Sequence, residues 1–331
     1  MRGILTGFLL VATLGASAVW ADYRLPACEG KFKGGTKPLA AEIIRGSNLC
    51  GADLRGVKLP GVDLRDTDLR GTNLEGADLR GARLHSTLFD EANMAHVDLR
   101  EALLVGADLM AVNLEGAKLS GADFSAADMR NARLRGADLR GAILIGADLR
   151  EADLSRADLR SVRMTGVLLA KAKLTSAKMD AADLDWAVAE GAILQGARMH
   201  GATLRDANFQ DADLRGVDLS GARLDDAILE RAKLGSADLS GARLYRARLW
   251  GAELMGAKLA GADASHADFS EALLMQADLS YANLRGAEFR GADLTDAILT
   301  GTDLDETRSP AVDSSTFVGD PFRLPDPPVT K

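Results

Sequence analysis

The sequence predicts an all-β protein built as a parallel β-helix of about 13 stacked coils, and three observations predict it. A five-residue frame, small–Asp/Asn–Leu–x–Gly, runs from Ser47 to Glu306 without insertion or deletion. Its third residue is Leu, Met or Phe in every unit except those of Ala189 and Ala264. Its first residue is Ala in 40 units and Ser, Thr or Val in the other 12. A period this strict sets the architecture before any single side chain is considered.

Ala52-Asp53-Leu54-Arg55-Gly56 shows the unit. On an α-helix a Leu every fifth residue advances about 140° each time, so Leu139, Leu144 and Leu149 would spiral over every face. A flat strand fails too, because an odd step sends successive leucines to opposite sides. Both conflicts vanish if the backbone turns a corner after each short extended piece. Four pentads then close a square coil of 20 residues with every central Leu inside. Coils stacked at about 4.8 Å make a rod of roughly 60 Å. Columns such as Leu79, Leu99, Leu119, Leu139 and Leu159 fill its axis, with small first residues (Ala77, Val97, Ala117) beside them. Glycine in the fifth slot relaxes the corner, where it tolerates φ > 0. In the core, Ala189 and Ala264 leave space that Phe209 and Phe269 are placed to fill.

These residues resemble the pentapeptide repeat family, whose A-(D/N)-L-x-x pattern covers about four fifths of the chain. The resemblance implies a right-handed quadrilateral parallel β-helix. Function within the family is less uniform than fold, so shape is implied and activity is not.

The ends read differently. Residues 1–21 have the form of a secretory signal: Arg2, an apolar stretch from Ile4 to Val11, then small residues, with cleavage expected after Ala21. The apolar segment is short for a bilayer span, so no stable membrane insertion is expected. Residues 22–46 are expected to cap the open first coil, pinned by a Cys28–Cys50 disulfide, since export implies an oxidising compartment and a cysteine pair. Cys50 occupies the outward fourth slot. Pro60 falls in the first coil, where a missing N–H does least harm. Residues 307–331 leave the frame. Their prolines argue for an extended capping tail, with Phe317, Phe322 and Leu324 available to cover the last coil.

The second and fourth slots face solvent. Asp fills the second 21 times and Lys or Arg 13 times. Asp78/Arg80, Asp98/Arg100, Asp138/Arg140 and Asp158/Arg160 form ion-pair ladders on one face, and the net charge is −8. Exposed pairs of this kind contribute little singly.

Chemistry finds no footing in this pattern. His85, His96, His200 and His266 fall on different faces or distant coils, so no metal site is expected. Asp180, His200 and Ser220 align at 20-residue steps on a flat face without a pocket or oxyanion donors, and they read as chance stacking. No cofactor, small-molecule substrate or nucleic-acid surface is expected. One face departs from polarity: Leu168, Val188 and Ile228 stand in second slots, Trp250 projects beside them, and Trp186 and Tyr245 flank the edge. Leu103, Val105, Ile143 and Ile145 add apolar area on the neighbouring face. Such a patch predicts a protein partner or self-association. The reading is therefore a non-enzymatic scaffold or interaction rod, periplasmic or secreted. The alternative implied by the resemblance is the gyrase-binding, DNA-mimicking type, which depends on an acidic surface and on dimerisation. Outward threonines are too sparse for an ice-binding ladder.

Overall fold

The computed structural model describes Phe32 and residues 35–307. Every fifth residue from Asn48 to Asn283 bridges, in parallel, to the residue 20 positions further on. The bridge offset equals four pentads, so the chain climbs one ladder rung per coil, as the period requires. Leu79, Leu99, Leu119, Leu139 and Leu159 are fully buried, and the small first-slot residues line the same interior. Phe209 and Phe269 are buried as expected, and Phe269 stacks on Phe289 one coil further on at 5.1 Å. Among the described residues the one helical element is a 3-10 turn, Ala40–Glu42.

Four of the five backbone N–H groups in a pentad have fixed tasks. The third-slot N–H donates to a second-slot carbonyl of the next coil (Leu54 to Asn73, 2.7 Å). The fifth-slot N–H donates to a fourth-slot carbonyl of that coil (Gly56 to Glu75, 2.9 Å). The second-slot N–H looks back to a first-slot carbonyl (Asn73 to Ala52, 2.9 Å), and the first-slot N–H closes the corner (Ala77 to Leu74, 3.0 Å). Only the fourth-slot N–H is left over. A second-slot carboxylate or amide accepts it, as Asp238 does from Ser240 at 3.0 Å and Asn73 from Glu75 at 3.1 Å. Asp and Asn recur in that slot because their short side chains reach the N–H two residues on. Pro60 is harmless for the same reason: it sits in the slot whose N–H the ladder does not use. Its place in the first coil is not what matters.

The corners are stricter than the glycine content implies. Every fifth-slot residue from Gly51 to Glu306 has φ between 53° and 72°. This slot is the third residue of a turn closed by the first-slot N–H, and positive φ there makes the turn type II. Gly fits at no cost, yet Trp186, His266 and Tyr281 adopt φ of 57–58° as well. Some glycines are needed for room also. A Cβ on Gly116, Gly286 or Gly301 would fall 2.6 Å from the ring of His96, His266 or Tyr281 in the preceding coil.

The N-terminal end of the stack is covered along part of its perimeter. Thr36 offers its carbonyl to Asp53 N–H at 3.0 Å, while Phe32 and Ile43 pack on the core. Glu42 steadies this segment by accepting Leu39 N–H at 2.7 Å. Cys50, in its fourth slot, is fully buried. It is not a free thiol. Its expected partner Cys28 lies outside the described residues, as do the expected signal segment 1–21 and the tail 308–331. No helix among the described residues is long and apolar enough to cross a membrane.

Candidate functional site

We number the sides of the coil in chain order, so that residues 47–50 open the first face and 62–65 the fourth. The third face carries the expected ladder. In each unit the guanidinium grips the carboxylate two residues earlier with both ends: Arg140 Nε donates to Asp138 Oδ1 at 2.8 Å and Nη2 to Oδ2 at 2.7 Å. The Arg140 backbone N–H adds a third bond to Oδ1 at 3.2 Å. Hydrogen bonding from Arg80 holds Asp78 down at about 2, and Arg65 holds Asp63 well below the usual carboxylate range.

Further along, the pairing changes. Arg205 reaches back one coil to Asp185, donating its backbone N–H and Nε, each at 2.9 Å, and also Nη2. Arg243 reaches Asp225 at 3.0 Å, Arg231 reaches Asp211 at 2.7 Å, and Arg248 pairs with Glu230. These contacts tie one coil to another.

The expected apolar surface lies partly in this region. Trp186, at the corner between the fourth and first faces, is 60% exposed, Trp250 42% and Tyr245 37%. Leu168, Val188 and Ile228 share the first face but are half-buried, as most second-slot residues are, so the more exposed residues of the patch are the aromatics. Polar groups lie beside each ring. Trp186 stands next to Asp206, one coil on. Arg231 lies over Trp250 with its guanidinium carbon 5.9 Å from the ring centre. Tyr245 meets His266 edge-on at 5.8 Å. Beside them is an open cleft of 560 Å³ lined by Asp226, Tyr245, Arg246, Arg248, His266 and Asp268. Its charges offset one another, with Arg246 3.3 Å from Asp226. On the fourth face Leu103 is exposed, while Val105, Ile143 and Ile145 are half-buried.

Two carboxyl-rich places come near to chemistry without reaching it. His200 Nδ1 lies 2.9 Å from Ser220 Oγ, so two members of the aligned column do touch. Ser220 donates its own hydroxyl proton to Asp218 at 2.6 Å, and Asp180 is taken by Arg198 at 3.1 Å. With its proton committed to Asp218, the serine accepts from the imidazole, which is the wrong direction for a base-activated nucleophile. On the first face, burial and the charge of Asp108 push Asp90 up to about 6. Its Oδ1 has no hydrogen-bond partner. No grouping of three or more metal-ligand side chains occurs among the described residues.

Sequence reasoning passed over a second apolar cluster. Met255 is 47% exposed and Leu273 37%, and half-buried Met275 joins them on the second face. The rule that singled out Leu168 and Val188, an apolar side chain in an outward slot, finds these as well when applied to every face. The contacts of Arg231 with Trp250 and of His266 with Tyr245 carry no signal at pentad spacing.

A family described as pentapeptide repeats matches in overlapping stretches from residue 47 to residue 308. Among solved structures, the chain is similar to HetL, a pentapeptide repeat protein involved in heterocyst differentiation regulation from the cyanobacterium Nostoc. The match has 34% identity, covers 74% of this chain and 90% of that one, and has a TM-score of 0.34. Rfr23 from the cyanobacterium Cyanothece matches at 28% identity over 37% of this chain and 64% of its own, with a TM-score of 0.22. QnrB1, a plasmid-mediated fluoroquinolone resistance protein, matches at 21% identity over 61% and 89%, also with a TM-score of 0.22. No curated protein sequence matches the chain.

Proposed function

As the chain belongs to the pentapeptide repeat family, folded as a right-handed quadrilateral parallel β-helix, we propose that it is an exported, non-enzymatic interaction rod. It binds a protein partner, or a second copy of itself, through the first face and the corner joining it to the fourth. Repeat proteins of this kind serve as structural or interaction modules, because a stack of identical coils offers length and a rigid surface in place of a cleft. One observation carries the reading: Trp186, Tyr245 and Trp250 stay exposed beside polar neighbours. Aromatics are enriched at interface centres.

Export is supported by Arg2, the Ile4–Val11 stretch and the small residues up to Ala21. A Cys28–Cys50 bridge fits the same compartment, and Cys50 is held as something other than a free thiol. Against DNA mimicry stand four third-face pairs, Arg80–Asp78, Arg100–Asp98, Arg140–Asp138 and Arg160–Asp158, in which a guanidinium neutralises the carboxylate.

Replacing Val188 and Trp250 by charged residues is expected to abolish the association of the wild-type chain in sedimentation, with itself or with the envelope partner it retains. An unchanged complex rejects this face. A reporter that works only outside the cytoplasm, fused after Lys331, is expected to be active. A silent reporter rejects export and returns the DNA-mimic reading.

A further inference from the structure

The third face carries a second period on top of the coil. Lys58, Lys118 and Lys178 take its second slot at 60-residue steps, and two Asp/Arg pairs fill each interval, from Asp78/Arg80 to Asp158/Arg160. Three coils, about 14 Å at strand spacing, separate successive lysines. From Lys58 to His200 the outward slots of this face hold eight Lys or Arg against five Asp. Over the same coils the second and fourth faces each carry four cations and four carboxylates, and the first carries three cations against six carboxylates. On a chain of net charge −8, one face in four is therefore positive. Its charges are also layered. All eight cations are exposed and all five carboxylates are half-buried, the paired arginines being 45–53% exposed and their aspartates 16–30%. Beyond His200 the sign reverses, where Asp218, Asp238 and Asp278 outnumber Lys258.

We infer that this stripe, from Lys58 to Arg198, binds a linear polysaccharide bearing carboxylates. Lys58, Lys118 and Lys178 make no ion pair among the described residues, so their charge is open to a ligand. Each paired arginine gives Nε and Nη2 to its own aspartate, as Arg80 and Arg160 do, which orders the guanidinium and leaves its other donors for a second acceptor. A guanidinium ordered in advance loses little freedom when a carboxylate arrives, and its planar fork suits that group. Gly76 and Gly81 flank Asp78/Arg80, and Gly136 and Gly141 flank Asp138/Arg140, so no side chain walls the stripe at those coils.

Other polyanions fit less well. The outward slots hold Lys, Arg, Asp and Ser, with Pro60 and His200 toward the two ends. Without Phe, Tyr or Trp there is no platform on which the bases of a single strand could stack, and a duplex winds its phosphates away from a straight row. An acidic peptide would find no apolar side chain to anchor on. A bilayer spreads past the stripe over second and fourth faces that have no surplus of cations, whereas a single chain stays on the one face that has.

A fluorescent polygalacturonate chain, long enough to reach from Lys58 to Lys178 (about 29 Å at strand spacing), tests the assignment by anisotropy with the full-length protein. The wild type is expected to bind it, at least about tenfold more weakly when salt rises from about 0.05 to about 0.3 M. Lys118→Glu/Lys178→Glu should weaken binding at least about tenfold, and Lys118→Gln/Lys178→Gln at least about threefold. Lys173→Glu/Lys233→Glu makes the same change in the same slot at the same spacing on the second face, and should stay within about twofold of wild type. If the third-face glutamate pair does not fold, the glutamine pair carries the comparison. A chain too short to bridge two of the lysines should bind at least about tenfold more weakly than the long one. Absence of wild-type binding at the lower salt overturns the inference, as do equal losses from the third-face and second-face pairs. Tighter binding of polyglutamate, single-stranded DNA or phosphatidylglycerol vesicles at equal charge also overturns it, and assigns the stripe to that partner.

Discussion

Up to Arg160 the closely ion-paired arginines of the rod grip carboxylates of their own pentads; beyond Asp180 most reach across coils. In the first region Arg80, Arg130 and Arg140 approach the carboxylate of the next coil no closer than 3.9–4.0 Å, while gripping their own at 2.6–2.7 Å. In the second, Asp185, Asp211, Asp225 and Glu230 are each claimed from another coil, while Asp213–Arg215 and the looser Arg223–Asp225 contact at 3.7 Å stay within a pentad. A pair confined to one pentad steadies the approach to a corner but does nothing to keep two coils together. A cross-coil pair resists their separation. The second region also carries Trp186, Tyr245 and Trp250, so the coils bearing exposed rings are those tied together on the outside. Both regions keep the same slot pattern in the core, with Ala189 and Ala264 as the exceptions in the second, so most of the difference lies on the surface.

The claim of a common core is tested by the largest expected effect. Leu139→Ala and Leu219→Ala remove the same fully buried column residue from the two regions. Each should cost about 2–5 kcal/mol in chemical denaturation, with the two values close together. A large inequality would mean that the regions differ inside as well as outside.

The surface difference comes next. Asp185→Ala strips the acceptor from Arg205 at a carboxylate only 4% exposed, and about 1–3 kcal/mol should be lost. Amide exchange at Arg205, whose N–H that carboxylate accepts, should accelerate with it. Asp138→Asn retains an oxygen for the Arg140 N–H and sits in a solvated pair, so its effect should be smaller and confined to its own pentad. Equal effects from the two substitutions would erase the distinction between the regions.

Corner space gives a third, finer comparison. Gly136 has φ of 66° and open space where an alanine methyl would stand, whereas Gly116, one coil earlier at 63°, lies beneath the His96 ring. Gly136→Ala should cost about 1–2 kcal/mol from backbone strain alone. Gly116→Ala should cost more, and His96→Ala in the same chain should remove the excess. If His96 swings clear into solvent, the two alanines will behave alike in thermal melts.

The coil and its period could be read from the sequence because they follow from counting: a Leu at every fifth position admits one solution. The role of second-slot Asp could not be read that way. It depends on which N–H the ladder leaves over, and that appears only once the coil-to-coil bonds of Leu54 and Gly56 are known. The burial of Cys50 does not follow from its slot, because slot rules describe the array and not the first coil's end. The aromatic face was half legible. The residue types and columns of Trp186 and Trp250 are plain in the sequence, but Leu168 and Val188 are half-buried, because second-slot residues lie between the coils stacked on either side. His200 and Ser220 were correctly aligned by register, yet the direction of their hydrogen bond is set by Asp218, two residues from the serine.

The smallest effect separates two carboxylates by the sign of their pH dependence. Asp78 is held down at about 2 by Arg80, whereas burial and Asp108 raise Asp90 to about 6. A lowered group stabilises the fold above its unfolded value, near 3.8, and that contribution fades as pH falls toward 2. A raised group does the reverse: its contribution is complete below the unfolded value and is lost as pH rises through about 6. At pH 8, Asp90→Asn should therefore raise the Tm, by about 1–2 °C because the group is partly solvated, and the gain should vanish below about pH 4. Asp78→Asn should lower the Tm at pH 8, and its deficit should shrink on acidification. If both substitutions move the Tm in the same direction at pH 8, the orphan Oδ1 of Asp90 is satisfied by water and the first face carries no uncompensated charge there.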